Sequence, residues 1–353
     1  MRNIKKGSSR FLTEKENMDS LVSVVIPTYN RCDNLLALIY SISDSDYENV
    51  EIIVVDNNSS DNTKAELIKI IDSHAIRVPV RYIYANANLN ASGGRYVGAR
   101  YAKGDYILFI DDDNKILPDM IRELVFFSEK NTEAGLIAPC SLICDSQDFI
   151  QNLGAWVDLN TSKAIFRQPS PIKICDVDDS ISYDTLSALN SFMVTRKAYE
   201  SSGGWDPNFG IMFDESDLAM RIKESGYKAF FAPRARCIHF GATFAGEQNE
   251  LRRLGMGTPL RAFFFARNRS LFMRRYARWN GKVLYFLVYM HAFTAYYCFK
   301  ALKNKRIDIA AMYLKGVVTG AFCRKSINDG FANKEIRLEE YNSNINSNAT
   351  LRI

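Results

Sequence analysis

Alternation is what most narrows the folds open to this chain. Four short runs dense in β-branched and aromatic residues, VSVVIP (22–27), VEIIVVD (50–56), VRYIYA (80–85) and DYILFI (105–110), are separated by single helical stretches. Those stretches are LLALIYSIS, KAELIKIID and a segment near Gly94 to Lys103. Strands joined by single helices require right-handed crossovers, so the expected fold class is α/β, a mainly parallel sheet flanked by helices. In such sheets the ligand crevice lies at the carboxyl ends of the strands. Thr28, Asp56 and the run Asp111-Asp112-Asp113 all fall there.

Beyond this region, AGLIAPCSLI (134–143) reads as a strand, QNLGAWVDL with KAIF as a hairpin, Asp214 to Gly226 as an amphipathic helix, and AFFAPRARCIHF (229–240) as another strand. The last dozen residues, NSNINSNATLRI, read as a tail. With 353 residues, 47% apolar and 24% charged, the mix is that of one large or two ordinary globular domains. General disorder, collagen and disulfide scaffolds are excluded. The seven cysteines form no C-x-x-C pair and are expected to be reduced thiols of a cytosolic chain. The first twenty residues have no apolar h-region, so no secretory signal is expected.

Charge is unevenly spread. Residues 251–307 carry thirteen Lys or Arg and no acid, leaving 32 basic against 40 acidic residues elsewhere. A basic, aromatic segment on an acidic body suits an anionic partner, phospholipid or nucleic acid, and the acidic body argues against a nucleic-acid coat.

Three features carry candidate chemistry. Three carboxylates crowded at a strand end raise one another's pKa, and a divalent cation relieves that repulsion. An Asp-rich turn is the alternative for Asp111-Asp112-Asp113. FDESDL (213–218) opens a helix, where acids complement the backbone dipole or, at a crevice mouth, serve as a general base. His239, in RCIHFG, is either a core imidazole or the nitrogen ligand of a mixed site of the kind Mn²⁺ accepts.

The first strand ends in Pro27-Thr28-Tyr29-Asn30-Arg31, with neither G-x-G-x-x-G nor G-x-x-x-x-G-K-[ST], which removes the dinucleotide and P-loop readings. Asp56, in DNNS with Asn58, can accept a hydrogen bond from the imide N–H of a pyrimidine, or merely form a turn. Tyr29 offers a ring a flat surface.

In order, SVVIPTYNRCDNL, EIIVVDNNSSDNT, GGRYVGARYAKGDYILFIDDDN, GGWDPNFG and FDESDLAMRIKESGYKAFFAPRARCIHF resemble the family 2 glycosyltransferases of the GT-A fold, over roughly residues 20 to 245. The resemblance implies a nucleotide pocket of Pro27, Thr28, Tyr29, Arg31, Asp56, Asn58, Arg95, Asp111 and Asp112. It implies a divalent metal, Mn²⁺ or Mg²⁺, on Asp113 and Asp111, with His239 a further ligand in some relatives. The E-D-x-D-L pattern of the family maps onto FDESDL with its order inverted. That puts the base on Glu215, leaves Asp214 as the competing candidate, and makes Asp217 an orienting carboxylate. Trp205 and Asp206 would meet the acceptor, a core role being the alternative for Trp205. The implied reaction is inverting transfer from a UDP- or dTDP-sugar to a glycan or lipid-linked hydroxyl. A sugar nucleotidyltransferase would need a glycine-rich basic loop after the first strand, and PTYNRCDNL has none; a non-catalytic scaffold of the same fold is the other alternative.

The implied organisation is a polar segment (1–20), a catalytic domain (21–245, nucleotide half 21–115, acceptor half 116–245), a helical basic-aromatic extension (246–335) and a tail (336–353). Within the extension, Phe263, Phe264, Phe265, Tyr276 and Trp279 interleave with Arg267, Arg269, Arg274, Arg275 and Arg278, and VLYFLVYMHAFTAYYCF (283–299) is short for a membrane span. The expected location is cytoplasmic and peripheral, on an anionic inner membrane face. A helix pair packed on the catalytic domain, or a homodimer interface, is the alternative. RNRSLFMRRY and the apolar stretch after it also resemble the C-terminal part of bacterial rhamnosyltransferase-like members, which assemble surface polysaccharides on lipid-linked acceptors.

Overall fold

The computed structural model describes residues 19–187, 190–244, 249–322, 335–342 and 345–352. The four expected strands form, as β1 (Val22–Thr28), β2 (Val50–Asp56), β3 (Val80–Ala85) and β4 (Tyr106–Ile110). They lie parallel in the order β4-β1-β2-β3. Every residue of β1 is buried, as its unbroken apolar run requires of a strand covered on both faces. Val25, Ile53, Val55 and Phe109 enter one core, and Val24, Ile52, Val54 and Leu108 the opposite one. Helices α1 (Cys32–Ser43), α2 (Thr63–Ser73) and α3 (Asn90–Tyr101) make the crossovers.

Past β4 the sheet turns mixed. Strand Ser191–Thr195 pairs antiparallel with β4 and leads to the buried strand Ala134–Ile143. The long strand Lys228–His239 runs parallel to the latter and antiparallel to the short strand Asn114–Ile116, bringing His239 opposite Asn114, next to the aspartate run.

Two expectations about the C-terminal region are corrected. The tail expected at 336–353 is a β-hairpin: Glu335–Asn342 pairs antiparallel with Ile345–Arg352 and with β3, closing the edge of the sheet. Alternation explains it, since Ile336 and Leu338 are buried while Glu339 and Glu340 reach Lys64 and Arg81. The polar segment expected at 1–20 lies, as far as residue 18, outside the described residues.

The second correction concerns the basic-aromatic run. In helix Pro259–Tyr276, Phe263, Phe264, Arg267 and Arg269 are buried rather than turned to a surface. Arg269 lies 4.2 Å from the Phe265 ring centroid and 4.5 Å from that of Phe293. Arg274 donates to the carbonyls of Gly320 and Ala321. Guanidinium groups stay charged when buried if carbonyls and ring faces replace water, so composition alone misreads their direction.

That helix packs against helix Ile307–Phe322 through small residues. A Cβ on Gly316 would meet the Phe263 carbonyl oxygen, and one on Gly320 would lie 2.6 Å from that of Arg267. Gly316→Val is therefore expected to lower unfolding free energy by about 1–3 kcal/mol in urea titration. Ala311→Val, on the exposed side of the same helix, should stay within about 0.5 kcal/mol of wild type.

Candidate functional site

The strand ends converge as the alternation requires. Thr28 and Asp56 are register partners at the ends of β1 and β2. Asp56 is fully buried: Oδ1 accepts the Ser59 N–H at 2.7 Å and Oδ2 the Tyr82 hydroxyl at 2.7 Å. Tyr82 was not singled out in the sequence, because a tyrosine in an apolar strand reads as core. Asn58, at φ +68°, accepts the Tyr84 hydroxyl at 2.6 Å. The two loops are tied by Asn30, whose Oδ1 accepts the Ser60 N–H and whose N–H donates to Ser59 Oγ. Pro27 is buried within β1, and Tyr29 is 47% exposed beside this floor.

The aspartate run divides its partners. Asp112 accepts from Thr28 Oγ1 at 2.8 Å and from Arg31 at 3.0 Å, and burial pushes its pKa up to about 6. Asp113 Oδ2 accepts from Arg31 at 2.9 Å. Its Oδ1 is buried with no hydrogen-bond partner, 3.6 Å from Nε2 of His239, whose Nδ1 meets Gln151. Burial raises the Asp113 pKa, but the imidazole and the Arg31 guanidinium outweigh it and hold the group below the usual carboxylate range. Asp111, expected to share a metal with Asp113, pairs here with Arg95. Arg31, expected on the nucleotide, here neutralises Asp112 and Asp113.

Arg95 is the centre of the site. It projects from α3 and is 1% exposed. One terminal nitrogen, Nη2, meets Asp111 on one side, and the other, Nη1, meets Asp214 at 3.1 Å and Glu215 at 2.8 Å on the other. Burial opposes its charge, yet the three carboxylates raise its pKa above the ordinary arginine value. Arg95, expected in the nucleotide pocket, is here the common counter-ion of these three carboxylates. Asp214 is 2% exposed, and burial, then the neighbouring Glu215 charge, lift its pKa well above the carboxylate range. Glu215 is the more open of the pair at 21%.

Trp205 does not present a stacking face for a sugar. It is 3% exposed, edge-on to Phe109 at 5.2 Å, with the Arg95 guanidinium 5.1 Å from its ring centroid. Its bulk is used as a floor under Arg95. Asp206 is likewise engaged, capping the turn Pro207–Phe209 and accepting from Arg275 at 2.9 Å. Nor does Asp217 orient Glu215: it is 1% exposed and bound by Arg221, Arg275 and Tyr276. Both acids fasten helix Pro259–Tyr276 to the catalytic body.

The chain enters helix Asp214–Glu224 through left-handed backbone at Gly210 (φ +67°), Met212 (φ +70°) and Phe213 (φ +64°). Two consecutive non-glycine residues in that region cost roughly 1–3 kcal/mol each and persist only when surroundings hold them. Asn268 does so, its Nδ2 donating to the carbonyls of Phe209, Ile211 and Met212 at 2.6, 2.8 and 2.9 Å. Arg267 adds the Asn208 carbonyl at 2.7 Å, and Ser92 of α3 donates its N–H to Gly210. Sequence reasoning missed Asn268; its only signal is an uncharged polar residue, like its neighbour Ser270, inside a helix of mostly apolar and basic residues.

A mixed sheet with a carboxylate-rich crevice at its parallel strand ends is the GT-A arrangement. Solved structures agree: the chain matches GalNAc-T7 with UDP, GalNAc and Mn²⁺ at TM-score 0.56 and 16% identity, over 72% of this chain and 51% of that one. It matches mannosyltransferase PcManGT from Pyrobaculum calidifontis, in complex with GDP-Man and Mn²⁺, at TM-score 0.53 and 15% identity, over 87% and 88%. The family model "Glycosyl transferase family 2" matches residues 23–181, and "Glycosyl transferase family group 2" matches residues 106–304, more than half of the chain. The chain belongs to the family 2 glycosyltransferases. Among curated relatives, the Escherichia coli UDP-Glc:alpha-D-GlcNAc-diphosphoundecaprenol beta-1,3-glucosyltransferase WfaP is 35% identical over 109 residues, 31% of this chain and 41% of its own length. A Campylobacter jejuni GalNAc(5)-diNAcBac-PP-undecaprenol beta-1,3-glucosyltransferase is 33% identical over 104 residues, 30% and 33% of the respective lengths. The matched segment thus spans about two fifths or less of these relatives.

Asn268→Ala leaves buried carbonyls of a strained loop unpaired. It is expected to cost about 1–3 kcal/mol of stability, measured by urea unfolding.

Proposed function

We propose that this chain is an inverting, metal-assisted glycosyltransferase. It moves a sugar from a pyrimidine nucleoside diphosphate donor to a hydroxyl of a glycan or lipid-linked acceptor, in the synthesis of a surface polysaccharide or glycoconjugate. The observation that carries the reading is Arg95, whose single guanidinium joins the strand-end carboxylate Asp111 to the helix-start pair Asp214 and Glu215. The diphosphate side and the proton-accepting side of a transfer site therefore lie within the span of one side chain. The relatives named for transfer to undecaprenol-linked diphosphates support the lipid-linked acceptor.

Donor binding falls to the strand ends. Asp56 keeps lone pairs beyond those used by Ser59 and Tyr82 for the imide N–H of uracil or thymine, and Tyr29 offers its exposed ring. Arg31, half exposed and paired with Asp112 and Asp113, would exchange these partners for the diphosphate of a donor. The unpartnered Asp113 Oδ1 facing His239 Nε2 fits a divalent cation of the Mn²⁺ or Mg²⁺ type. Among the described residues no group of three His, Cys, Asp or Glu is placed to hold a metal ion, so Asp113 and His239 would hold one only together with oxygens of the donor. Bound there, the ion supplies charge stabilisation for the departing diphosphate.

Proton removal from the attacking hydroxyl falls to Glu215. Of the two candidates it is the accessible one, whereas burial favours a proton on Asp214. Arg95 holds the Glu215 carboxylate in place and balances its charge. Attack assisted by one base, opposite the leaving group, inverts the anomeric carbon.

Nucleotide release from a panel of UDP- and dTDP-sugars tests the reading. Glu215→Gln should lose about 10²–10⁴ in turnover with donor binding retained, and Asp113→Ala should abolish release while remaining folded. Chelation should stop the reaction, and Mn²⁺ restore it. An inactive Asp214→Asn beside an active Glu215→Gln would transfer the base to Asp214; full activity of Asp113→Ala would remove the metal.

A further inference from the structure

We propose that the helical hairpin 279–322 is a bilayer-docking surface that lies in the plane of an anionic membrane and inserts two parallel apolar stripes. This deepens the lipid-linked acceptor reading by naming the surface that would bring the site to its acceptor, although the surface can be tested without any transfer assay.

The first helical segment runs unbroken from Trp279 to Lys303, with a π-helical turn at Tyr285–Tyr289. Along it, Leu287 is 70% exposed, Val288 52%, Phe299 63% and Leu302 53%. Trp279, at its start, is 81% exposed. The second helix, Ile307–Phe322, exposes Ile307, Leu314, Val318 and Phe322 at 71, 46, 57 and 79%. Their spacing of seven, four and four residues keeps all four on one face. The opposite face of the same helix, with Ile309, Ala310 and Tyr313, is buried against the body. A helix that is apolar on both its buried and its open side has a second nonpolar environment to meet. Around Trp279 the open side forms an apolar groove of about 380 Å³ lined by Val283, Leu284, Leu287 and Val288.

Charge selects the occupant. Residues 279–322 contain Lys282, Lys300, Lys303, Lys305, Arg306 and Lys315 against one acid, Asp308, which pairs with Arg306, while Lys300 pairs with Glu250 from the neighbouring short helix. Three of the basic residues cluster at the turn between the helices. A symmetric contact with a second copy would bring this face against itself, like charge towards like. Anionic headgroups complement it, each basic residue near such a surface contributing about 1 kcal/mol. Trp279 has the amphipathic ring that settles at headgroup depth. No helix among the described residues is long and apolar enough to cross a membrane, and the hairpin therefore lies along the interface. The membrane-facing role expected for Phe263, Phe264, Arg267 and Arg269, which are buried, passes to this neighbouring face.

Flotation of the full chain with phosphatidylcholine vesicles, with and without phosphatidylglycerol, tests the proposal. Wild type should float with the anionic vesicles and stay largely unbound with the neutral ones. Leu287→Asp/Phe299→Asp should weaken anionic-vesicle binding by about tenfold or more, with an unchanged circular dichroism spectrum. Lys303→Glu/Lys305→Glu should weaken it in a salt-sensitive manner. Nucleotide release by the same variants in detergent should match wild type, so loss of docking and failure of the transferase reading are separable. Wild type that does not float, or a Leu287→Asp/Phe299→Asp protein that floats as well as wild type, overturns the proposal. So does a wild-type dimer that the same substitution makes monomeric, because the stripes would then join two copies.

Discussion

Everything at this site leans on one buried cation. A guanidinium 1% exposed to solvent is held where it is by three carboxylates, and two of them come from a helix more than a hundred residues later in the chain. Removing any partner from such a cluster leaves an uncompensated charge away from water, which is why the geometry is narrow. Trp205 closes the floor, and the strand end carrying Asp111 and the helix start carrying Asp214 and Glu215 are fixed relative to each other through Arg95.

A consequence is that the C-terminal helices are structural members of the site rather than an appendage. Asn268 grips the left-handed stretch before Asp214, while Arg275 and Tyr276 hold Asp217 in the same helix as Glu215. The backbone strain is localised next to Asp214 and Glu215, and the restraint comes from helix Pro259–Tyr276, which itself packs against helix Ile307–Phe322.

Much of this was legible in the residues, for identifiable reasons. Continuous Val and Ile runs can only be strands covered on both faces, so β1 to β4 and the crevice at their ends followed from the pattern. The acids in FDESDL were recognisable because a first helical turn favours carboxylates. Directions were not legible. Arg95 was placed in the pocket by resemblance, but its pairing with Asp214 and Glu215 has no signal in the residues until the fold brings them together. Arg267 and Arg269 have the composition of a lipid-facing stripe, yet carbonyls and aromatic faces take their charge inside the protein. Trp205 and Asp206 lie in a motif that suggested acceptor contact, but burial and Arg275 assign them to support. The hairpin after residue 334 was missed because its first strand is mostly polar, buries only Ile336 and Leu338, and pairs with β3 over just Leu338 to Tyr341.

The central claim is that Arg95 is the common counter-ion of the two carboxylate groups, and the unfolding free energy of Arg95→Met across pH tests it most directly. Burial already raises the pKa of Asp111 and Asp214, and loss of the cation raises them further, so the variant's native state binds protons more tightly than its unfolded state. The account predicts a deficit of about 3–5 kcal/mol at neutral pH. That deficit should shrink as the pH is lowered towards the ordinary carboxylate value of about 3.9. Wild-type stability at neutral pH, or a deficit that stays constant as the acids take up protons, would contradict it.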